Sequence, residues 1–140
     1  MSAITVKRFN EIIADELPWA HEIGMRADSI GAGTAVLRLP FAGKMVRPGG
    51  TVSGPFMMAL ADAAMYAAVL SVIGEVQLAV TTNLNINFLH RPSPADLLAE
   101  ASVLKAGKRL VVCDVHVHSD GHDAPVAHVT GTYSVPPSGK

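Results

Sequence analysis

The chain holds a single cysteine, Cys113, among 140 residues. One thiol cannot form an internal disulfide framework, and it fits a reducing compartment, so a cytoplasmic location is expected. Charge is also scarce: charged residues make up 16% of the chain, and 11 basic against 12 acidic side chains leave a net charge of −1. Without an excess of positive charge, no nucleic-acid partner is expected. The opening residues, MSAITVKRFNEII, lack an apolar h-region and a small-residue cleavage site, so they do not read as a signal peptide. Gly31-x-Gly33 lacks the rest of a dinucleotide fingerprint and there is no P-loop, so no nucleotide cofactor is expected. What the sequence has in quantity is apolar surface, 49% of residues. At this length that supports one domain over residues 1–140, built on a real core. A surface so short of charge suggests that part of it is covered by another subunit.

One apolar run stands out. Pro55 to Gly74, PFMMALADAAMYAAVLSVIG, spans 20 residues with one charge, Asp62. That length would cross a bilayer. A carboxylate near its centre would cost about 2.5–3.5 kcal/mol there, and no basic cluster flanks it closely. The run is therefore expected to be a buried central helix, with no membrane partner. Ser53 can cap it, Pro55 suits its first turn, and Gly74 ends it. Upstream, Lys7–Leu17 has helical spacing of Phe9, Ile12, Ile13 and Leu17, and Pro18 ends it. Strand-like runs follow near Ile23–Ile30 and Gly33–Leu39, then a loop over Phe41–Ser53. Beyond the helix the period becomes two, with strands expected at Ala79–Leu89, Leu97–Lys105, Arg109–Ser119 and Val126–Val135. Residues 136–140 read as a frayed tail.

A helix apolar on most of its circumference must be surrounded. A curved antiparallel sheet of about six strands wrapped around it is the simplest way. The expected class is α+β, in the arrangement known as the hotdog fold.

Several segments, in order and spacing, carry a resemblance. They are Gly49-Gly50-Thr51-Val52-Ser53-Gly54-Pro55, Ala59-Leu60-Ala61-Asp62-Ala63-Ala64, Leu84-Asn85-Ile86-Asn87-Phe88-Leu89, Asp96-Leu97-Leu98-Ala99-Glu100-Ala101, Gly107-Lys108-Arg109 and Gly131-Thr132-Tyr133. Over roughly residues 17 to 136 the chain resembles the hotdog-fold thioesterase superfamily, most of all its phenylacetate-pathway (PaaI-type) branch. The resemblance implies an acyl-CoA thioesterase whose only coenzyme is the CoA of its substrate. It implies that Asp62 is the general base or nucleophile, that the Gly54 amide polarises the thioester carbonyl, and that Thr81 or Thr82 helps position water. Where the family often has His before the glycine, this chain has Ser53. Where it often has Asn in the preceding loop, this chain has Arg47.

Elementary chemistry supports those roles. Thioester hydrolysis needs a carboxylate to activate water and a donor for the developing oxyanion. Helix N-termini carry unpaired amides, and glycine permits close approach. Eight residues separate Gly54 from Asp62, which is about 12 Å along one helix. One small reacting group cannot touch both within one chain. A composite site across a two-fold axis is therefore expected, in a homodimer or dimer of dimers. On a helical wheel Asp62 shares a stripe with Pro55, Met58, Tyr66 and Val69, which would line an acyl pocket. The alternative is a structural carboxylate bonded to Tyr66 or to facing backbone.

Lys105, Lys108 and Arg109 crowd a hairpin, and Arg91 sits in another loop. These are candidate partners for CoA phosphates, as is Arg47 for a substrate carboxylate or phosphate; solvated surface charge is the alternative for each. Asn83, Asn85 and Asn87 mark one strand face as a subunit interface, a ligand face or a solvated face. His116, His118, His122, Asp120 and Asp123 read as exposed hairpin positions, with no metal expected, and Cys113 reads as core. Two rival functions are weighed. One is a non-catalytic acyl-CoA or acyl-ligand binding protein. The other is a hotdog dehydratase, which typically needs an Asp–His pair near the helix start; no His lies between His21 and His90. The composite site makes one demand that sedimentation and thiol-release assays can check: a monodisperse monomer should lose hydrolysis, and a fully active one overturns the arrangement.

Overall fold

A computed structural model describes residues 1–137. Along the chain lie α1 (Val6–Glu16), α2 (Pro18–Glu22), β1 (Arg26–Gly31), β2 (Thr34–Leu39), β3 (Val46–Arg47), β4 (Thr51–Val52), α3 (Gly54–Ile73), β5 (Val80–Phe88), β6 (Leu97–Ala106), β7 (Leu110–Ser119) and β8 (Pro125–Ser134). Six strands form one sheet in the order β1-β2-β6-β7-β8-β5. Every neighbouring pair is antiparallel.

The sheet covers α3. Leu60, Ala61, Ala64, Met65, Ala67, Ala68, Val69 and Leu70 are all fully buried. The helix lies against β6, β2 and β7, where its alanines allow close approach. Alternation along β7 turns Val111, Cys113, Val115 and Val117 inward. The side of α3 away from the sheet is closed in part by α1, whose Phe9 ring meets Tyr66 with centroids 5.9 Å apart. The result is an α+β hotdog fold. Among the described residues, Gly54–Ile73 is the helix long and apolar enough to cross a membrane, and 67% of its most apolar window lies inside the protein. Burial pushes the Cys113 thiol up to about 12, with Asp114 adding to the shift, so it is an inert core group.

The ends of α3 follow the sequence with one difference. Ser53 occupies the N-cap position in extended conformation, but its hydroxyl makes no capping bond. Gly74 ends the helix at φ 86°, a backbone state that glycine adopts without strain. Pro18 does more than end α1: it opens α2, where a missing N–H costs nothing. Ile23 caps α2, so the first strand begins at Arg26, later than its apolar pattern suggests. The expected Phe41–Ser53 loop contains a 3-10 turn at Gly43–Met45 and the β3–β4 hairpin, with Gly49 and Gly50 at positive φ beyond β3. Two-residue strands have no period to read. Of the expected frayed tail, residues 138–140 lie outside the described residues.

Gly131 on β8 fixes how closely α3 approaches. A Cβ there would sit 2.7 Å from the Met65 sulfur and 2.9 Å from the Asn83 carbonyl oxygen. The methionine can yield; the β5 backbone cannot. Gly131→Ala should therefore cost about 1–3 kcal/mol of stability, measured as a lower denaturation midpoint at unchanged slope.

Candidate active site

Helical spacing puts Ala59, Asp62, Ala63 and Tyr66 on one face of α3. The two alanines leave room, and a cavity of about 280 Å³ opens over them. Its other walls are Leu17 and Trp19 from the start of α2, Ala79 to Thr81 at the head of β5, and Tyr133 from β8. Tyr66 and Tyr133 stack with centroids 6.0 Å apart, forming an aromatic side.

Asp62 is half-buried and held at one oxygen. Its Oδ1 accepts from the Thr81 hydroxyl at 2.6 Å and from the Tyr133 hydroxyl at 2.8 Å. The Tyr133 hydroxyl also lies 3.0 Å from the Asp62 carbonyl oxygen, within hydrogen-bond reach. Burial, then the Asp62 charge, pushes the Tyr133 phenol above its ordinary value, so it stays a protonated donor. Among the described residues Oδ2 has no hydrogen-bond partner and no fully buried side-chain polar atom is unpaired, so Oδ2 keeps some contact with solvent. One oxygen fixes the carboxylate while the other can take a proton. Tyr66 is not a partner of Asp62; its hydroxyl donates to the Gln77 carbonyl at 3.1 Å. Burial, then Glu16 and Glu75, raises its phenol as well.

Gly54 belongs to a different hollow, of about 560 Å³, shared with Arg47, Phe88, His90 and Arg91. Its amide makes no hydrogen bond among the described residues. Phe88 lies over it, with ring carbon Cζ 3.0 Å from where a Cβ would be. Within one chain, then, the Gly54 amide and the Asp62 carboxylate open into separate spaces.

Of the other candidate residues, Thr81 reaches Asp62, whereas the Thr82 hydroxyl donates to the Thr132 carbonyl at 3.2 Å, beside a bulge in β5. Pro55 and Met58 are exposed and lie outside the cavity, where Ala59 and Ala63 take the place expected for them. Val69 is core. Arg47 donates to the Pro48 carbonyl and, with Arg91, flanks Gly54. Ser53 stands at the helix start just before that hollow. Lys108 and Arg109 are exposed at the β6–β7 hairpin and line neither space. Asn83, Asn85 and Asn87 pair with Thr132, Thr130 and His128 on the outer sheet face. Sequence reasoning misses Tyr133 as a site residue, although alternation along β8 (Ala127, Val129, Gly131, Tyr133) points it inward. A buried phenol needs an acceptor, and that is the available signal.

A carboxylate anchored by two hydroxyls at one oxygen in a partly aromatic cavity has the chemistry of a general base. Comparison with known proteins gives the family. A family model described as the thioesterase superfamily matches residues 49–126. The chain belongs to the thioesterase superfamily. It is 31% identical over 132 residues to a "putative esterase" of Saccharolobus solfataricus, covering 94% of this chain and 86% of that one. A crystal structure of a "putative thioesterase" from Silicibacter sp. TM1040 is 40% identical, with TM-score 0.88, covering 98% of this chain and 95% of the other. The phenylacetic acid degradation protein PaaI of Thermus thermophilus, solved as a point mutant, is 26% identical with TM-score 0.74, over 84% of this chain and 98% of that one. By family the chain is thus a thioesterase-type hydrolase.

Thr81→Val and Tyr133→Phe each remove one donor from Oδ1. Hydrogen bonds to charged groups contribute about 1.5–3 kcal/mol, so each variant should lose roughly 10- to 100-fold in kcat. KM should change little, because both hydroxyls are engaged with Asp62. Steady-state kinetics separate the two parameters.

Proposed function

We propose that the protein is an acyl-CoA thioesterase, cytoplasmic, working as a homodimer or dimer of dimers with each site built from two chains. The observation that carries this reading is the Asp62 carboxylate, tethered at Oδ1 and open at Oδ2 inside the cavity. Oδ2 takes a proton from water, and the hydroxide attacks the thioester carbonyl carbon. The Gly54 amide of the partner subunit donates to the oxyanion. The C–S bond then breaks, the thiolate recovers the proton from Asp62, and a free acid and CoA leave. Arg47 and Arg91 beside Gly54 suit the phosphates of a CoA approaching from that side.

Pairing of two chains is supported by the edge strand β5, where Val80 and Phe88 are 58% and 52% exposed. An edge with apolar side chains this exposed is a template for a second strand. Pairing there would bring Phe88, and Gly54 beneath it, towards a second chain.

The first experiment is free-thiol release from aliphatic and aromatic acyl-CoAs, with Asp62→Ala beside the wild type. Loss of the base should cost about 10²–10⁴-fold; activity within about twofold of wild type would sink the role. Saturable binding of acyl-CoA without turnover in the wild type would favour the rival, a binding protein in which Ser53 and Arg47 replace catalytic groups. The composite site has its own check in Gly54→Pro, which deletes the amide where Ser53 is already extended (ψ 151°) and the helix loses no bond, and whose Cβ requires the Phe88 ring to shift by a few tenths of an ångström. Mixing and refolding inactive Asp62→Ala with inactive Gly54→Pro should restore roughly a quarter of wild-type activity, because half of randomly paired dimers then hold one intact site. No recovery on mixing means that the site lies within one chain.

A further inference from the structure

The outer face of the sheet carries a second chemical cluster, on the side away from α3 and Asp62. Val115 and Val117 of β7 point into the core, so Asp114 and His116 point out. The sheet register sets His116 directly opposite His128 of β8, and the two rings stand 4.9 Å apart. Asp114 Oδ2 lies 3.4 Å from His128 Nε2 and 3.6 Å from His116 Nε2. One ligand atom from each of the three residues falls within 4.8 Å of the other two.

These spacings match a coordination polyhedron. Ligands about 2.0–2.2 Å from a tetrahedral zinc stand roughly 3.3–3.6 Å from one another. Both carboxylate–imidazole separations already have that length, and all three donor atoms lie within 4.8 Å of one another. Two imidazoles and a carboxylate suit first-row divalent transition ions, and three protein donors leave one position for water. The donors are also rigidly mounted, since β7 and β8 are each paired on both sides. All three side chains retain solvent access, at 22% for Asp114, 34% for His128 and 57% for His116. None of them lines the Asp62 cavity or the Gly54 hollow.

We propose that Asp114, His116 and His128 form a binding site for one divalent transition-metal ion of the zinc class, separate from the hydrolytic site. Reading β7 alone, His116 counts only as an exposed polar position. The site needs His128, which only the β7–β8 register delivers.

Equilibrium dialysis of the full chain against zinc chloride tests this, with cobalt absorption as a second readout of coordination geometry. Wild type should bind one ion per chain and give the strong visible bands of tetrahedral cobalt. His116→Ala and His128→Ala should each weaken binding by at least about tenfold. His118→Ala is the control on the same strand and face, and should leave affinity unchanged. Asp114→Asn keeps the side-chain shape and gives the same readout if a histidine variant fails to fold. Absence of saturable binding in the wild type overturns the proposal. So does affinity that falls as far in His118→Ala as in His128→Ala.

Discussion

An α-helix with no polar face cannot rest on a surface; it has to be enclosed. That constraint organises the whole protein. Solvating α3 would expose several turns of alanine, leucine, valine and methionine on every side, and each square ångström of that surface would cost about 25 cal/mol. A six-stranded sheet wraps one side, and α1 closes much of the other through Phe9. Gly131 then sets the depth of the seat, because a side chain there would strike Met65 and the β5 backbone. The helix is held in rotation as well as in depth, and its one charge has one place to go.

That place is the edge of the enclosure. Asp62 emerges where α2, β5 and β8 meet, half-buried, with two hydroxyls aimed at one oxygen. The donors come from strands that are neighbours in the sheet, and Tyr133 reaches Asp62 across 71 residues of sequence. A carboxylate in this setting is held by two strands of the sheet, the preorganisation that the proposed role of general base would use. The same helix places Gly54 about two turns away, in another hollow. Asp62 and Gly54 of one chain thus face different spaces, which is the physical ground for the proposal that the active unit is two chains.

Much of this is legible in the sequence. The apolar run ending at Gly74 marks α3 and its C-terminus, and two-residue alternation marks all four strands that follow it. Asp62 is conspicuous because a lone charge in an apolar helix has to be useful or paired. Illegible are the features with no period of their own: the short α2 behind Pro18, and the β3–β4 hairpin, whose strands are two residues each. The acyl-pocket stripe differs from its wheel position too. Wheel geometry places Met58 near Asp62, but the cavity forms over Ala59 and Ala63, because small side chains leave space and Met58 turns to solvent.

The period of each segment, the enclosure of one helix and the identity of its single carboxylate follow from local spacing and from the cost of exposing apolar surface or burying charge. Which hydroxyl meets that carboxylate, Thr81 and not Thr82, and that Tyr133 joins it, follow from packing in three dimensions. The choice between the two threonines turns on a bulge in β5 that shifts the register by one residue. Register decided too that His128 stands beside His116. Such pairings depend on how strands align across the sheet, and a one-residue slip reverses every side chain, so the pattern of one strand read alone does not name its partners.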